Sequence, residues 1–175
     1  MNVIHLRLPI ALALAPLAIF AHILPAGADG TAAAQYLSGN LAIDVSGPDV
    51  SMQLRLPMTR ADASTANKQN LTPEEVVARL KAAEKLFVFP DKARCQPEYA
   101  NAFAVDAQGK PTKADGNIQA MYRFRCDGAT SARVDALKVK LFDNLPGLEK
   151  LKLQLTTDKG DSTLELTPAK GDVAL

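Results

Sequence analysis

The side chains with the sharpest chemistry in this 175-residue sequence are two histidines, His5 and His22, and two cysteines, Cys95 and Cys126. The histidines sit in a run that reads as an export signal. His5 and Arg7 give it a basic start, and Leu8 to Leu24 is almost wholly apolar. Ala26-Gly27-Ala28 then offers the small residues that signal peptidase requires, which predicts cleavage after Ala28. Ala32-Ala33-Ala34 is an alternative site. An uncleaved anchor is the competing reading, because the stretch approaches the roughly 20 residues that span a bilayer. Pro9, Pro16 and Pro25 interrupt it, and no other segment is apolar enough to cross a membrane. Cleavage therefore predicts a mature chain without histidine.

Such a chain has no conventional general base near neutral pH and no catalytic triad. It also lacks the commonest zinc and copper ligand. Serines and carboxylates remain, but none stands in a nucleophile-elbow or Gly-rich phosphate pattern. Asp158-Lys159-Gly160-Asp161 is too short for a calcium loop, and no closing Glu follows at the right offset. A paired-carboxylate glycosidase would want an aromatic sugar cleft, and this sequence has no Trp, 3 Tyr and 6 Phe. The residues predict a protein that is not an enzyme. Asn70-Leu71-Thr72 fits the glycosylation sequon, but with Pro73 following, Thr72 reads as a helix cap.

Cys95 and Cys126 form an even pair in a chain bound for an oxidising compartment, so a disulfide is expected. The loop it would close is worth roughly 3–4 kcal/mol in the chain-entropy model. A redox pair or two metal thiolates are the alternatives. Redox motifs usually hold their cysteines as Cys-x-x-Cys, and two isolated thiolates lack the other ligands of a zinc site.

Charge narrows the partners. Of 20 Lys and Arg, cleavage removes only Arg7 and none of the 19 acidic residues, which leaves a neutral mature chain. A nucleic-acid partner would want a basic excess. The length fits one domain with a real core. The expected organisation is a signal over 1–28, a small, polar N-terminal arm over 29–40, and a single domain over 41–175.

The elements that must carry these residues are mostly strands. Leu41, Ile43 and Val45 share a face, as do Val50, Met52, Leu54 and Leu56 beyond the turn Ser46-Gly47-Pro48-Asp49; this predicts a hairpin. Thr59 to Asn70 is polar and aperiodic, and reads as a loop. Thr72, Pro73 and Glu75 make a capping box, and Val76, Val77, Leu80, Ala83 and Phe87 repeat at helical spacing, predicting one helix over about 73–87. Cys95 to Val105 is less regular, and Asp106 to Asn117 is an exposed Gly/Pro-rich excursion. Alternation resumes at Tyr122-Phe124-Cys126, Leu137-Val139-Leu141, Leu151-Leu153-Leu155 and Leu164-Leu166. The pattern predicts an α+β domain, mainly antiparallel sheet with one principal helix packed on it. Arg123, Arg125, Lys138, Lys140, Lys150 and Lys152 fall on outward positions. They read as a solvated, edge-guarded face, with an anion- or lipid-binding face as the alternative.

Tyr122-Arg123-Phe124-Arg125-Cys126, Leu141-Phe142-Asp143-Asn144-Leu145-Pro146-Gly147-Leu148-Glu149 and Leu153-Gln154-Leu155-Thr156-Thr157 resemble the ZrgA-type zinc-uptake proteins. Leu86-Phe87-Val88-Phe89-Pro90 followed by Cys95 matches as well. The likeness covers most of Leu41 to Ala169. It implies a periplasmic accessory protein of metal import, with the Cys95 and Cys126 pair where that family has one. Zinc, and a metal transporter or periplasmic binding protein as partner, are implied by the resemblance alone; the residues themselves predict no cofactor and no metal site. Family members begin the mature chain with a His-x-His-Gly-like segment, and here Tyr36-Leu37-Ser38-Gly39 stands there. Members also carry a His-rich insertion between the cysteines, where this chain offers only Asp106 and Asp115. Two isolated carboxylates suit at best a hard, weakly held cation. Leu56-Pro57-Met58-Thr59-Arg60 departs from the family's text too, and no metal ligand transfers. Two roles follow from the resemblance: an accessory of metal import that docks to its partner, or an envelope interaction protein that has lost metal binding.

Overall fold

The alternating runs form strands because each has one apolar edge to bury. In the computed structural model, described here over residues 34–60, 71–112, 116–128 and 134–175, they make twelve strands and three short helices. In chain order the first strands are β1 (Ala34–Gln35), β2 (Ser38–Ser46), β3 (Asp49–Leu56) and β4 (Thr59–Arg60). Helices α1 (Pro73–Leu80) and α2 (Ala83–Leu86) come next, then β5 (Phe87–Val88) and β6 (Cys95–Val105). The chain continues through β7 (Pro111–Thr112), β8 (Asn117–Cys126), β9 (Ala136–Val139) and α3 (Leu141–Asn144). It closes with β10 (Lys150–Thr157), β11 (Gly160–Leu166) and β12 (Asp172–Ala174).

Seven strands build the main sheet in the order β11-β10-β2-β3-β8-β6-β7. Its pairings are antiparallel except β2 with β10, which run parallel with Leu41 opposite Leu153 and Ile43 opposite Leu155. A three-stranded sheet, β12-β9-β5, supplies Phe87, Leu137, Val139 and Val173 to the same core, and the helices add Val76, Leu80, Leu86 and Leu141. The fold is α+β and dominated by antiparallel sheet, as the alternation predicts.

Inward strand positions are filled by apolar side chains, and among the described residues no polar or charged residue is fully buried. Gly39 holds an inward position on β2 where a Cβ would lie 2.5 Å from Leu56 Cδ2 and 2.7 Å from the Arg55 carbonyl. Only hydrogen fits there. Tyr122 reaches from β8 to donate its hydroxyl to the Leu80 carbonyl at the end of α1, 2.9 Å away, and so ties helix to sheet.

Several expectations change. The helix predicted over 73–87 stops at Leu80. Thr72 caps it as read, with Glu75 closing the capping box. Ala82 then leaves helical geometry (φ −87, ψ 62), one further turn follows, and Phe87 is extended and pairs with Val139. Phe87 is buried as expected, but its rings of contact explain the switch: Tyr122 and Phe124 meet it edge to face at 4.9 and 6.1 Å. Tertiary packing wins over the helical spacing. Leu141 opens α3 and does not extend β9. Ser38 to Asn40, expected in the arm, belong to β2, and Tyr36 is buried. Thr59–Arg60, expected in a loop, pair with Ala34–Gln35.

Cys95 to Val105, expected to be irregular, is an eleven-residue strand. A bulge between Pro97 and Tyr99 resets its phase, so that Tyr99 faces Arg123 where simple alternation would place Glu98. Beyond the bulge its inward residues begin with Ala100, Ala102 and Ala104, too small to announce a core face.

Candidate functional site

Cys95 opens β6 and Cys126 closes β8, and the pair faces each other directly in register. Their sulfurs are 2.08 Å apart, forming a disulfide across a sequence separation of 31. Backbone bonds surround it: Cys126 N–H donates to the Pro48 carbonyl and Gly128 N–H to that of Ala93. Arg94 takes a left-handed conformation (φ 45) and its guanidinium donates to the Asp127 carbonyl at 2.6 Å. Beside the bridge lies a hollow of about 280 Å³ lined by Phe89, Pro97 and Phe124 together with Glu84, Asp91 and Arg94. The arrangement holds the ends of two strands together.

Asp106 is committed to a turn. Its Oδ1 accepts the backbone N–H groups of Gln108 (2.9 Å) and Lys110 (2.8 Å), which folds the chain from β6 back into β7. Asp115 lies outside the described residues, as do the export signal with His5 and His22, the cleavage site after Ala28, and Asn70 of the sequon; of the alternative site only Ala34 is described, in β1. Asp158-Lys159 is the two-residue turn between β10 and β11. Thr157 Oγ1 accepts the Lys159 N–H at 3.1 Å, and Gly160 takes the positive φ (+119) that the turn demands. Lys159 Nζ donates to the Leu175 carbonyl at 3.0 Å.

The six outward cations do not form one face. Lys138 and Lys140 belong to the smaller sheet's side, and Lys140 is half-buried. Lys150 and Lys152 stand on β10, three strands and so roughly 14 Å from β8, where Arg123 and Arg125 stand. Arg125 is neutralised by Asp49 (3.5 Å) and Asp127 (3.4 Å). Lys92 donates to Asp135 Oδ2 at 2.5 Å, and that hydrogen bond holds the Asp135 carboxyl below the usual carboxylate range.

Among the described residues, the donor chemistry does not fit zinc. Residues 37–175 contain no histidine, and their only two thiols are joined to each other. Among the described residues no three His, Cys, Asp or Glu side chains gather as a metal-holding group. A zinc site wants about four such ligands. Nor is any helix among the described residues long and apolar enough to cross a membrane.

What sequence reasoning missed is the outer face of the main sheet. Tyr99 and Met121 are both exposed there and line a shallow hollow of about 290 Å³ with Ser51, Gln53 and Arg123. The signal was available in Tyr99-Ala-Asn-Ala-Phe103, whose large residues fall on alternate positions. The Pro97 bulge concealed which way they point.

No curated protein matches the chain. The family model of the ZrgA zinc uptake proteins matches residues 37–175, the span that holds the main sheet, the helices and the cystine, and the chain belongs to that family.

Proposed function

We propose that this chain is exported and serves zinc uptake by docking to a component of the import machinery, a metal transporter or periplasmic binding protein. It neither carries the ion nor catalyses a reaction. The observation that carries this reading is the donor set: the family match spans residues 37–175, and that span has no histidine and no free thiol. A zinc carrier needs deprotonated soft or borderline donors converging on one point. Here Asp106 serves a turn, and among the described residues the acids do not gather as a metal-holding group. Export is supported by the leader over 1–28 and by a cystine, which persists in oxidising compartments.

Growth under zinc limitation tests it. Deleting the gene should slow growth in chelator-treated medium, and the full chain should restore it. The Asp106→Asn/Asp115→Asn variant should restore it equally, since an Asn oxygen can still accept the two turn hydrogen bonds. A chain lacking residues 1–28 should fail. Failure of the folded double-Asn variant would show that these carboxylates handle metal.

A further inference from the structure

Among the described residues no second layer covers the outer face of the main sheet, and its centre is unlike a merely solvated surface. Val88, Tyr99 and Met121 are the exposed large apolar residues among those described, and two of the three sit together here, Tyr99 47% and Met121 36% exposed. They lie on adjacent strands, one rung apart, because Tyr99 faces Arg123 and Met121 faces Asn101. Phe103, one rung further, is half-buried on the same face. Aromatic residues, Met and Arg are the types enriched in the centres of protein interfaces.

The charges around this patch point to its occupant. On β3, Arg55 faces Gln119, Gln53 faces Met121 and Ser51 faces Arg123. Arg55 and Arg123 thus bracket Gln53 and Met121 at a spacing of about 14 Å along the strands. Neither guanidinium has an ion pair among the described residues, whereas Arg125, two positions from Arg123, has two. No acidic side chain lines the hollow. An apolar centre between two unpaired arginines complements a protein segment that carries an apolar side chain between carboxylates, and each fork suits bidentate carboxylate binding.

We propose that this face is where the chain docks its import partner, through an acidic–apolar segment whose carboxylates meet Arg55 and Arg123 and whose apolar side chain packs on Tyr99 and Met121. This rests on the docking reading above and assigns it a surface. Site-specific photocrosslinking in the native host under zinc limitation tests it. The full chain would carry p-benzoylphenylalanine at Gln53, with Lys138 on the smaller sheet as the control position. The expected result is an adduct at Gln53 with another protein, whose crosslinked peptide contains Asp or Glu beside an apolar residue. Arg55→Glu/Arg123→Glu should cut the adduct by about tenfold or more, the loss that removing one strong contact brings. An unchanged circular dichroism spectrum and melting point would show that this variant still folds. Four results would overturn the proposal: no adduct above the Lys138 control, an adduct with a second copy of this chain, a crosslinked peptide without carboxylates, or an adduct indifferent to charge reversal. An acidic segment from a protein unconnected with metal transport would leave the surface standing and remove the import reading.

Discussion

Replacing Tyr122 by Phe removes a single buried hydroxyl and leaves its ring against Phe87. That hydroxyl donates to the Leu80 carbonyl at 2.9 Å, and the tyrosine is 2% exposed. Losing the bond forfeits about 1 kcal/mol net, and stranding a buried carbonyl adds a desolvation cost of about 1–3 kcal/mol when no water reaches it. Leu80 is the last residue of α1, and backbone adjustment at a helix end relieves part of that cost, so we expect a total of about 1–2 kcal/mol at neutral pH. Alkaline pH gives the sharper test. Burial pushes the Tyr122 phenol well above its ordinary value. Above pH ~10 the unfolded chain therefore releases this proton while the folded chain keeps it. The unfolded state gains, and stability falls by about 1.4 kcal/mol per pH unit until the folded phenol ionises. Tyr122→Phe lacks that dependence. In urea unfolding from pH 7 to 11 the wild-type advantage should hold to about pH 9 and vanish near pH 11. A gap that stays constant through pH 11 would refute the reasoning, as would one below about 0.5 kcal/mol at pH 7.

The Cys95→Ala/Cys126→Ala variant should lose about 3–4 kcal/mol, the chain entropy of an open loop of this length. Reductant should destabilise the wild type by a similar amount and leave the variant untouched; a loss below about 1 kcal/mol in urea melts would contradict this. Gly39→Ala would press a methyl against Leu56 and the Arg55 carbonyl, and since backbone yields little, the expected cost is about 1–3 kcal/mol. An unchanged urea midpoint would show that β2 can move away from β3 at this rung.

The strands that could be read from the sequence were those whose inward residues are large. Leu41-Ile43-Val45, Val50 to Leu56, Tyr122-Phe124 and Leu151 to Leu155 alternate with polar or small partners, and all four runs turn the expected side to the core. The capping box was legible for the same local reason: Thr72, Pro73 and Glu75 need only their own neighbours. Where contacts distant in sequence decide, the reading failed. Phe87 keeps helical spacing from Leu80 and Ala83, yet pairing with Val139 and the rings of Tyr122 and Phe124 draw it into a strand. β6 hid behind a bulge and behind alanines. The parallel union of β2 with β10 is signalled by no local residue pattern. As for the site, the missing histidines were plain from composition, whereas the Tyr99–Met121 patch required the phase of β6. Outward cations looked continuous in sequence because alternation reports the face of a strand and never which sheet it joins.

We propose that this ZrgA-family chain supports zinc uptake without binding the ion itself. Calorimetric titration of the oxidised mature protein with zinc decides between docking and carriage. Docking without carriage predicts no saturable heat at micromolar zinc, with the melting temperature unmoved by the metal. A stoichiometric isotherm with micromolar or tighter affinity would contradict it.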